Sequence, residues 1–514
     1  MDFLSFLFAL SAAVIGVILA SRPGSTELSA LVFPVPVTWF LHLAFTHVPK
    51  KSSEPPPYVL KLGGVTWKEA DFCRGWEIDG RTGSGKTASG VVPIIHALKK
   101  NRPDVGIMAL DAKGDLSEPV EAIAKELKCE KDLRQLEVRP DHAPPNWTPA
   151  YTMNVLADAS IPYSTYAKIL VDVATAAGQK GDQSFFKNAA QIAIQNAMAT
   201  LAILDEPVTI DNCFRVVTLG EAGGKKTSSL NKPEFPASRV GYLRDYYEEF
   251  NKQPAEQKSG IISTVFNYLQ PYTAPDLAQI FCAADPSFDI KELDLGRLVS
   301  IKIPQKFQTE KKYISLLLKV LFYLHALRRY DLPAAVRDGK NLIVLVLDEA
   351  QETVLVSEDG ISDYNVVDKI RGARATTINS TQSPTSYIPP MGTREKADVF
   401  LLNLGNKIYF TAADKLSSEM LADSIGKRTV KKRTWGRSGG KSNVSWSEHD
   451  EHLIKPHILR SLPKHVAVIK HCERHYKRVY LPPSRFTKPK PQLQTGATVK
   501  FAVLSLPCLC FHIM

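Results

Sequence analysis

The longest runs of apolar positions lie at the two ends of the chain and in a few short blocks between them. Residues 3–20 carry no charge, and after Arg22-Pro23-Gly24-Ser25 a second uncharged run covers residues 28–48, apart from two histidines. Each approaches the roughly 20 apolar residues that a helix needs to cross a bilayer. Pro34 and Pro36 predict a kink or a late start in the second. Lys50 and Lys51 follow it at once, and positive charge beside a span marks the cytoplasmic side. The pattern predicts a transmembrane hairpin over residues 1–50 in a bacterial inner membrane, with both chain ends inside. A cleaved signal peptide is the alternative, since small residues surround Ala20, but it leaves the second run unexplained. Residues 51–60, with Pro55-Pro56-Pro57, read as a stiff linker.

Further along, short apolar blocks alternate with longer segments of helical period. Residues 342–347 (LIVLVL), 105–110, 298–304 and 376–381 read as strands, the first as a central parallel strand buried on both faces. Residues 91–98, 165–174, 188–204 and 313–327 repeat apolar positions at three and four and read as helices. Alternation of this kind predicts an α/β chain with a doubly wound parallel sheet, whose ligands sit at the carboxyl ends of the strands. About 140 residues between the second and fourth strands lack strand alternation and read as an inserted all-α segment, with an exposed loop at 220–236.

The chemistry sits at the strand ends. Glu77-Ile78-Asp79 runs into Gly80-Arg81-Thr82-Gly83-Ser84-Gly85-Lys86-Thr87, a complete GxxxxGK[ST] loop ahead of a helix. Glycines let backbone N–H groups turn inward around phosphates, Lys86 reaches the β- and γ-phosphates, and Thr87 offers its hydroxyl to Mg²⁺. The 342–347 block ends in Asp348-Glu349-Ala350-Gln351. Asp348 suits Mg²⁺ and Glu349 suits the water that attacks a γ-phosphate, which favours ATP hydrolysis over nucleotide sensing. Gln382, just past residues 376–381, is placed to sense the γ-phosphate.

Composition adds limits. The chain has 514 residues, 44% hydrophobic and 23% charged, ordinary globular usage that excludes a mainly disordered or coiled-coil protein. Seven cysteines form no CxxC, so neither a zinc ribbon nor a disulfide framework is indicated. The net charge of +11 is uneven: from residue 427 onward there are 18 Lys and Arg against 4 Asp and Glu, and 46 against 49 elsewhere. Residues 427–441 (KRTVKKRTWGRSGGK) read as a flexible basic loop, either solvent-facing or in contact with a nucleic-acid backbone, with Trp435 free to stack on a base. The histidines between 449 and 475 fit no ligand spacing, so no metal beyond Mg²⁺ is expected.

Taken together these motifs resemble the type IV coupling proteins, conjugative DNA-transfer ATPases of the FtsK/HerA branch of RecA-like motors. Asp111-Ala112-Lys113-Gly114-Asp115-Leu116 resembles the family's D-P-K-G-E-L, Asn154-Val155-Leu156 its N-P-L, and Gln183-Ser184-Phe185-Phe186 the entry to its all-α domain. Asp348-Glu349 and Gln382-Ser383 resemble its hydrolysis and sensor motifs, and residues 453–463 its ending. The likeness spans about residues 60–482; Ala112 and Val155 depart from the family's prolines, the outer loop is short, and 483–514 match nothing.

The resemblance implies a RecA-like domain made of 61–153 and 291–482, an all-α domain over 154–290, a tail at 483–514, and a homo-hexamer. It implies that Arg371, with Arg374 as the fallback, completes a neighbour's site. The implied partners are single-stranded DNA bound without sequence preference, a relaxosome or secreted protein substrate, type IV secretion channel components and the membrane. Alternatives are a duplex-DNA translocase of the FtsK/HerA type and a protein-only substrate receptor.

Overall fold

The computed structural model describes residues 58–179, 184–218, 220–438, 441–473 and 476–487. The expected transmembrane hairpin, most of the linker and nearly all of the tail lie outside the described residues. Among the described residues no helix is long and apolar enough to cross a membrane.

Nine strands form one sheet in the order β13-β12-β9-β3-β8-β7-β4-β6-β5. They are β3 (Trp76–Asp79), β4 (Gly106–Asp111), β5 (Leu133–Glu137), β6 (Leu298–Lys302), β7 (Ile343–Asp348), β8 (Ala375–Thr381), β9 (Asn406–Tyr409), β12 (Val466–Lys470) and β13 (Tyr476–Tyr480). From β9 to β5 the pairing is parallel, and β12 and β13 add an antiparallel edge beside β9. A small hairpin, β1 (Leu60–Leu62) with β2 (Val65–Trp67), precedes the sheet.

Side chains alternate across a strand, so each central strand feeds two cores. On β7, Val344 and Val346 join Ile107 and Ala109 of β4 on one face. There α1 (Val92–Asn101) and α2 (Ser117–Glu126) cover them with Ile94, Ile95, Leu98, Val120 and Ile123. On the other face Ile343, Leu345 and Leu347 meet Met108 and Leu110 under α10 (Gln308–Arg328). That second core continues without a break into α3 (Tyr163–Ala177), α4 (Ser184–Ile203), α5 (Ile210–Thr218) and α8 (Ala255–Leu269). A parallel sheet covered on both faces is why β4 and β7 read as unbroken apolar runs.

Several elements differ from the sequence reading. The expected loop at 220–236 begins as a helix, α6 (Gly220–Ser229), despite its glycines and serines, and α7 (Ala237–Lys252) follows. Tertiary packing overrides propensity here: Leu230, at the end of α6, is fully buried with Val240 and Leu243 of α7, and Lys226 pairs with Glu206. The expected loop at 427–441 is instead a long antiparallel hairpin, β10 (Lys427–Ser438) with β11 (Lys441–His452), separate from the main sheet. Among its described side chains none is buried, and its strands carry no hydrophobic alternation to betray them. β5, mostly polar at the sheet edge, escapes notice for a related reason. The helix α9 (Pro275–Phe281) closes the helical run before β6, and α11 (Arg394–Asn403) and α12 (Lys415–Ile425) flank β9.

One buried ion pair ties the segment after β7 to α10. Lys319 on α10, 1% exposed, donates to Asp363 Oδ2 at 2.7 Å and to the Thr353 carbonyl. Asp363 also accepts from the Tyr323 hydroxyl at 2.9 Å and the Leu355 amide at 2.8 Å. Burial pulls the Lys319 ammonium below its usual pKa, against the pull of Asp363. Breaking such a pair strands a buried charge, which costs about 3–5 kcal/mol. Asp363→Ala should therefore lower unfolding stability by about that amount in urea titration, whereas replacing Lys319 and Asp363 together with apolar residues should recover most of it.

Candidate active site

Register aligns the strand ends. Asp79 pairs with Thr381, Asp348 with Ser380, and Asp111 with Asp348, so β3, β8, β7 and β4 stop at one level along neighbouring ladders. The loop after β3, the residue after β8, Asp348-Glu349 after β7 and Lys113 after β4 consequently gather at the same edge.

The loop of residues 80–87 leaves β3 and enters a wide helical turn over Lys86–Val91, which α1 continues. Gly85 holds φ +108°, and a Cβ there would meet His465 Nδ1 at 2.6 Å, so only glycine fits beside that ring. Gly83, at φ +81°, faces open space, where a backbone N–H can meet a ligand. Arg81, Thr82 and Gly83 form the exposed rim, while Ser84 and Lys86 are buried. Lys86 folds its ammonium back to the Gly80 carbonyl at 2.5 Å. Burial lowers its pKa, and Glu349 and Asp348 partly restore it.

Thr87 donates its hydroxyl to Asp348 Oδ2 at 2.8 Å. Glu349 follows in the left-handed region (φ +56°, ψ +50°), a conformation that costs a non-glycine residue about 1–3 kcal/mol and recurs at functional sites. Its buried carboxylate pairs with Lys113 through Oε1 and accepts through Oε2 from Gln351 Nε2 at 2.8 Å and Gln382 Nε2 at 3.3 Å. Burial pushes its pKa upward, but the bond from Gln351 and the pairing with Lys113 outweigh it and hold it below the ordinary glutamate value. Asp111 places Lys113 by accepting from its backbone N–H at 2.7 Å and from that of Leu116 at 2.8 Å. Burial and then Asp348 raise the Asp111 pKa.

The residues present fit a magnesium–nucleoside triphosphate. Ser84 Oγ is buried without a hydrogen-bond partner among the described residues, beside open space at Gly83. A hydroxyl and a carboxylate stand together at Thr87 and Asp348, oxygen donors of the kind Mg²⁺ takes. The structure thus gathers Lys86, Thr87, Asp348, Glu349 and Gln382. Arg371 lies elsewhere. It is exposed before the amino end of β8, a strand about 20 Å long at its six steps, so it stands at the far edge of the sheet from its own chain's loop. Arg374 is committed to Glu69, which it grips at 2.6 and 2.9 Å, and to the Asp338 carbonyl.

The family described as "Type IV secretory system Conjugative DNA transfer" matches residues 47–475. The chain belongs to that family. Among solved structures, this family member is similar to the unbound bacterial conjugative coupling protein TrwBdeltaN70, at 14% identity and a TM-score of 0.60, covering 86% of this chain and 92% of that one. The TrwB complex with ADP and Mg²⁺ (14%, TM-score 0.59) and that with a non-hydrolysable ATP analogue (15%, TM-score 0.60) match over the same shares. At such identity the likeness concerns the fold, an α/β architecture around a parallel-dominated sheet. No curated protein sequence matches.

Three functional contacts of this coupling-family chain had no role assigned from sequence. Lys113 stood inside a recognisable motif and Gln351 directly after Glu349-Ala350, so proximity was the available signal. His465 carried none. Its backbone N–H donates to the Ser84 carbonyl at 3.0 Å, its Nδ1 meets Ser89 Oγ at 2.8 Å, and its own carbonyl accepts from Leu481 at 2.8 Å. Together with the Ser484 amide on the Ala88 carbonyl at 2.7 Å, it buttresses the loop of residues 80–87 from the antiparallel edge.

Lys113→Ala leaves burial as the main influence on Glu349, so the carboxyl pKa should rise. The acid limb of kcat/KM for ATP, which reports the free enzyme, should then move to higher pH. An unmoved limb would show that Lys113 does not set the Glu349 charge.

Proposed function

We propose that this chain is a membrane-anchored ATPase that couples ATP hydrolysis to recruiting and moving single-stranded DNA, or a DNA–protein substrate, into a type IV secretion channel. The observation that carries this reading is the meeting of Thr87 with Asp348 at 2.8 Å beside Glu349, on the level edge of four parallel strands. Family membership supports the DNA-transfer role, and the ADP–Mg²⁺ and ATP-analogue complexes of TrwB support ATP and Mg²⁺.

In this reading residues 80–87 cradle the phosphates with backbone N–H groups, and Lys86 leaves the Gly80 carbonyl for the β- and γ-phosphates. Thr87 and Asp348 would hold Mg²⁺, which would supply neutralising charge to the phosphate oxygens. Glu349, released from Lys113, orients the attacking water and accepts its proton. The new oxygen–phosphorus bond forms as the bond to the β-phosphate oxygen breaks, and Gln382 contacts the departing γ-phosphate. Arg371 serves the neighbouring subunit's site, since its distance from its own loop suits action in trans within a homo-hexamer.

The domain division follows: residues 61–153 and 291–482 as the RecA-like motor, 154–290 as the all-α domain that meets relaxosome or secreted protein, and 1–50 as the two-span inner-membrane anchor. The bulk of the chain is then cytoplasmic, and channel components are its further partners.

Purified full-length protein should hydrolyse ATP faster with single-stranded DNA. Lys86→Ala should abolish turnover, and Glu349→Gln should abolish it while nucleotide still binds. Wild-type rates in either variant would remove the assignment. Stimulation by duplex alone would favour a duplex translocase, and none by DNA at low salt a protein-only receptor. Arg371→Ala should silence homo-oligomers, with activity recovered in mixtures with Lys86→Ala subunits.

A further inference from the structure

The hairpin of β10 and β11 is the largest feature that the nucleotide site does not use. Twelve residues per strand give it a length of about 40 Å. Residues 431–436 and 444–446 are all exposed, so over that stretch neither face packs on the body. An arm that buries nothing needs few large aromatics, yet Trp435 and Trp446 are 64% and 65% exposed.

Their register is specific. Arg433 sits opposite Trp446, and Trp435 opposite Val444, which puts both indoles and the guanidinium on one face of the ribbon. The Arg433 guanidinium carbon lies 4.0 Å from the Trp435 ring centre and 5.8 Å from that of Trp446. The result is an open row of two flat π-surfaces with a cation between them.

Charge is divided along the arm. Near the base, the three lysines have acidic partners: Lys427 pairs with Asp423 at 2.8 Å, Lys432 with Glu451 at 2.7 Å and Lys431 with Glu448 at 3.3 Å. From residue 433 to 446 the sequence contains three basic residues and no acidic one. The base is thus close to neutral, and the outer part combines net positive charge with aromatic rings.

We propose that this outer face is a stacking platform for a single strand of DNA, with bases laid on Trp435 and Trp446 and Arg433 drawing the phosphate backbone alongside. Every base has a π-face, so such a platform holds a strand without reading its sequence, whereas paired bases in a duplex offer no face to stack on. The cationic tip favours a polyanion over an apolar or acidic-poor protein surface. The proposal rests on the DNA-moving reading above and names the surface that does the holding. It also revises the expectation of a flexible basic loop: Lys431 and Lys432 are engaged within the arm, and the strand contacts fall to Arg433 and the tryptophans.

The test uses the full-length chain, a labelled oligothymidylate and a duplex of equal length. Trp435→Ala and Trp446→Ala should each weaken oligothymidylate binding by about tenfold, since stacking contributes that order per base. Duplex binding should change little, and basal ATP turnover without DNA should stay at the wild-type rate. Trp435→Phe, which keeps a ring, should retain most of the affinity and guards against collapse of the arm. Arg433→Gln should reduce the slope of log affinity against log salt by about one. If wild type binds the oligothymidylate and both alanine variants bind it equally well, the platform is elsewhere while the DNA-motor reading stands. Equal losses for strand and duplex would overturn stacking, as would unchanged DNA affinity with lost self-association, which would make the face a contact between copies. If wild type binds no DNA at low salt, the platform and the reading fall together.

Discussion

Four parallel strands ending on one level constrain everything else in this molecule. A parallel ladder fixes register, because slipping β7 by one residue would exchange its Ile343, Leu345 and Leu347 face with its Val344 and Val346 face, misfitting two close-packed cores and moving Asp348 off the level of its neighbours. Both faces are buried, so neither misfit is relieved by solvent. The same register carries Thr87, Asp348, Lys113 and Gln382 to one edge from positions up to about 300 residues apart in sequence. Chemistry at the edge thus inherits its precision from packing in the middle. The buried pair of Lys319 and Asp363 extends this to the segment that follows Glu349.

Each principal group at the edge is engaged by another: Lys86 by a carbonyl of its own loop, Thr87 by Asp348, and Glu349 by Lys113 and two side-chain amides. A buried carboxylate left alone would take up a proton. The Gln351 amide and the Lys113 ammonium hold the Glu349 pKa below its ordinary value, and both occupy the carboxylate. The buttress at His465 holds the loop of residues 80–87, and it comes from the chain's antiparallel edge rather than from the parallel strands.

Much of this was legible in the residues. The GxxxxGK[ST] loop, the unbroken LIVLVL run and its Asp-Glu ending are each marked locally, by glycine spacing, by burial on two faces and by adjacent carboxylates at a strand end, and local causes leave local marks. The helices at 163–177 and 184–203 showed through their three-four period for the same reason. What stayed hidden had non-local causes. β10 and β11 are strands because they pair with each other, not because either has a buried face. α6 is helical because Leu230 is anchored among residues of other helices, in spite of its glycines. His465 is invisible as a loop buttress, since nothing near it in sequence announces a neighbour more than 370 residues away.

The unbroken core beneath α10 has a mechanical consequence. Helices α3, α4, α5 and α8 share one contiguous apolar mass with the underside of β4 and β7. Such interiors resist compression and shear, and they transmit a displacement rather than absorbing it. A shift of the strand that bears Asp348 would therefore be felt across the helical segment as a tilt of a stiff body. A fragment cut at the boundary of that segment would expose a broad greasy surface and should aggregate instead of folding alone.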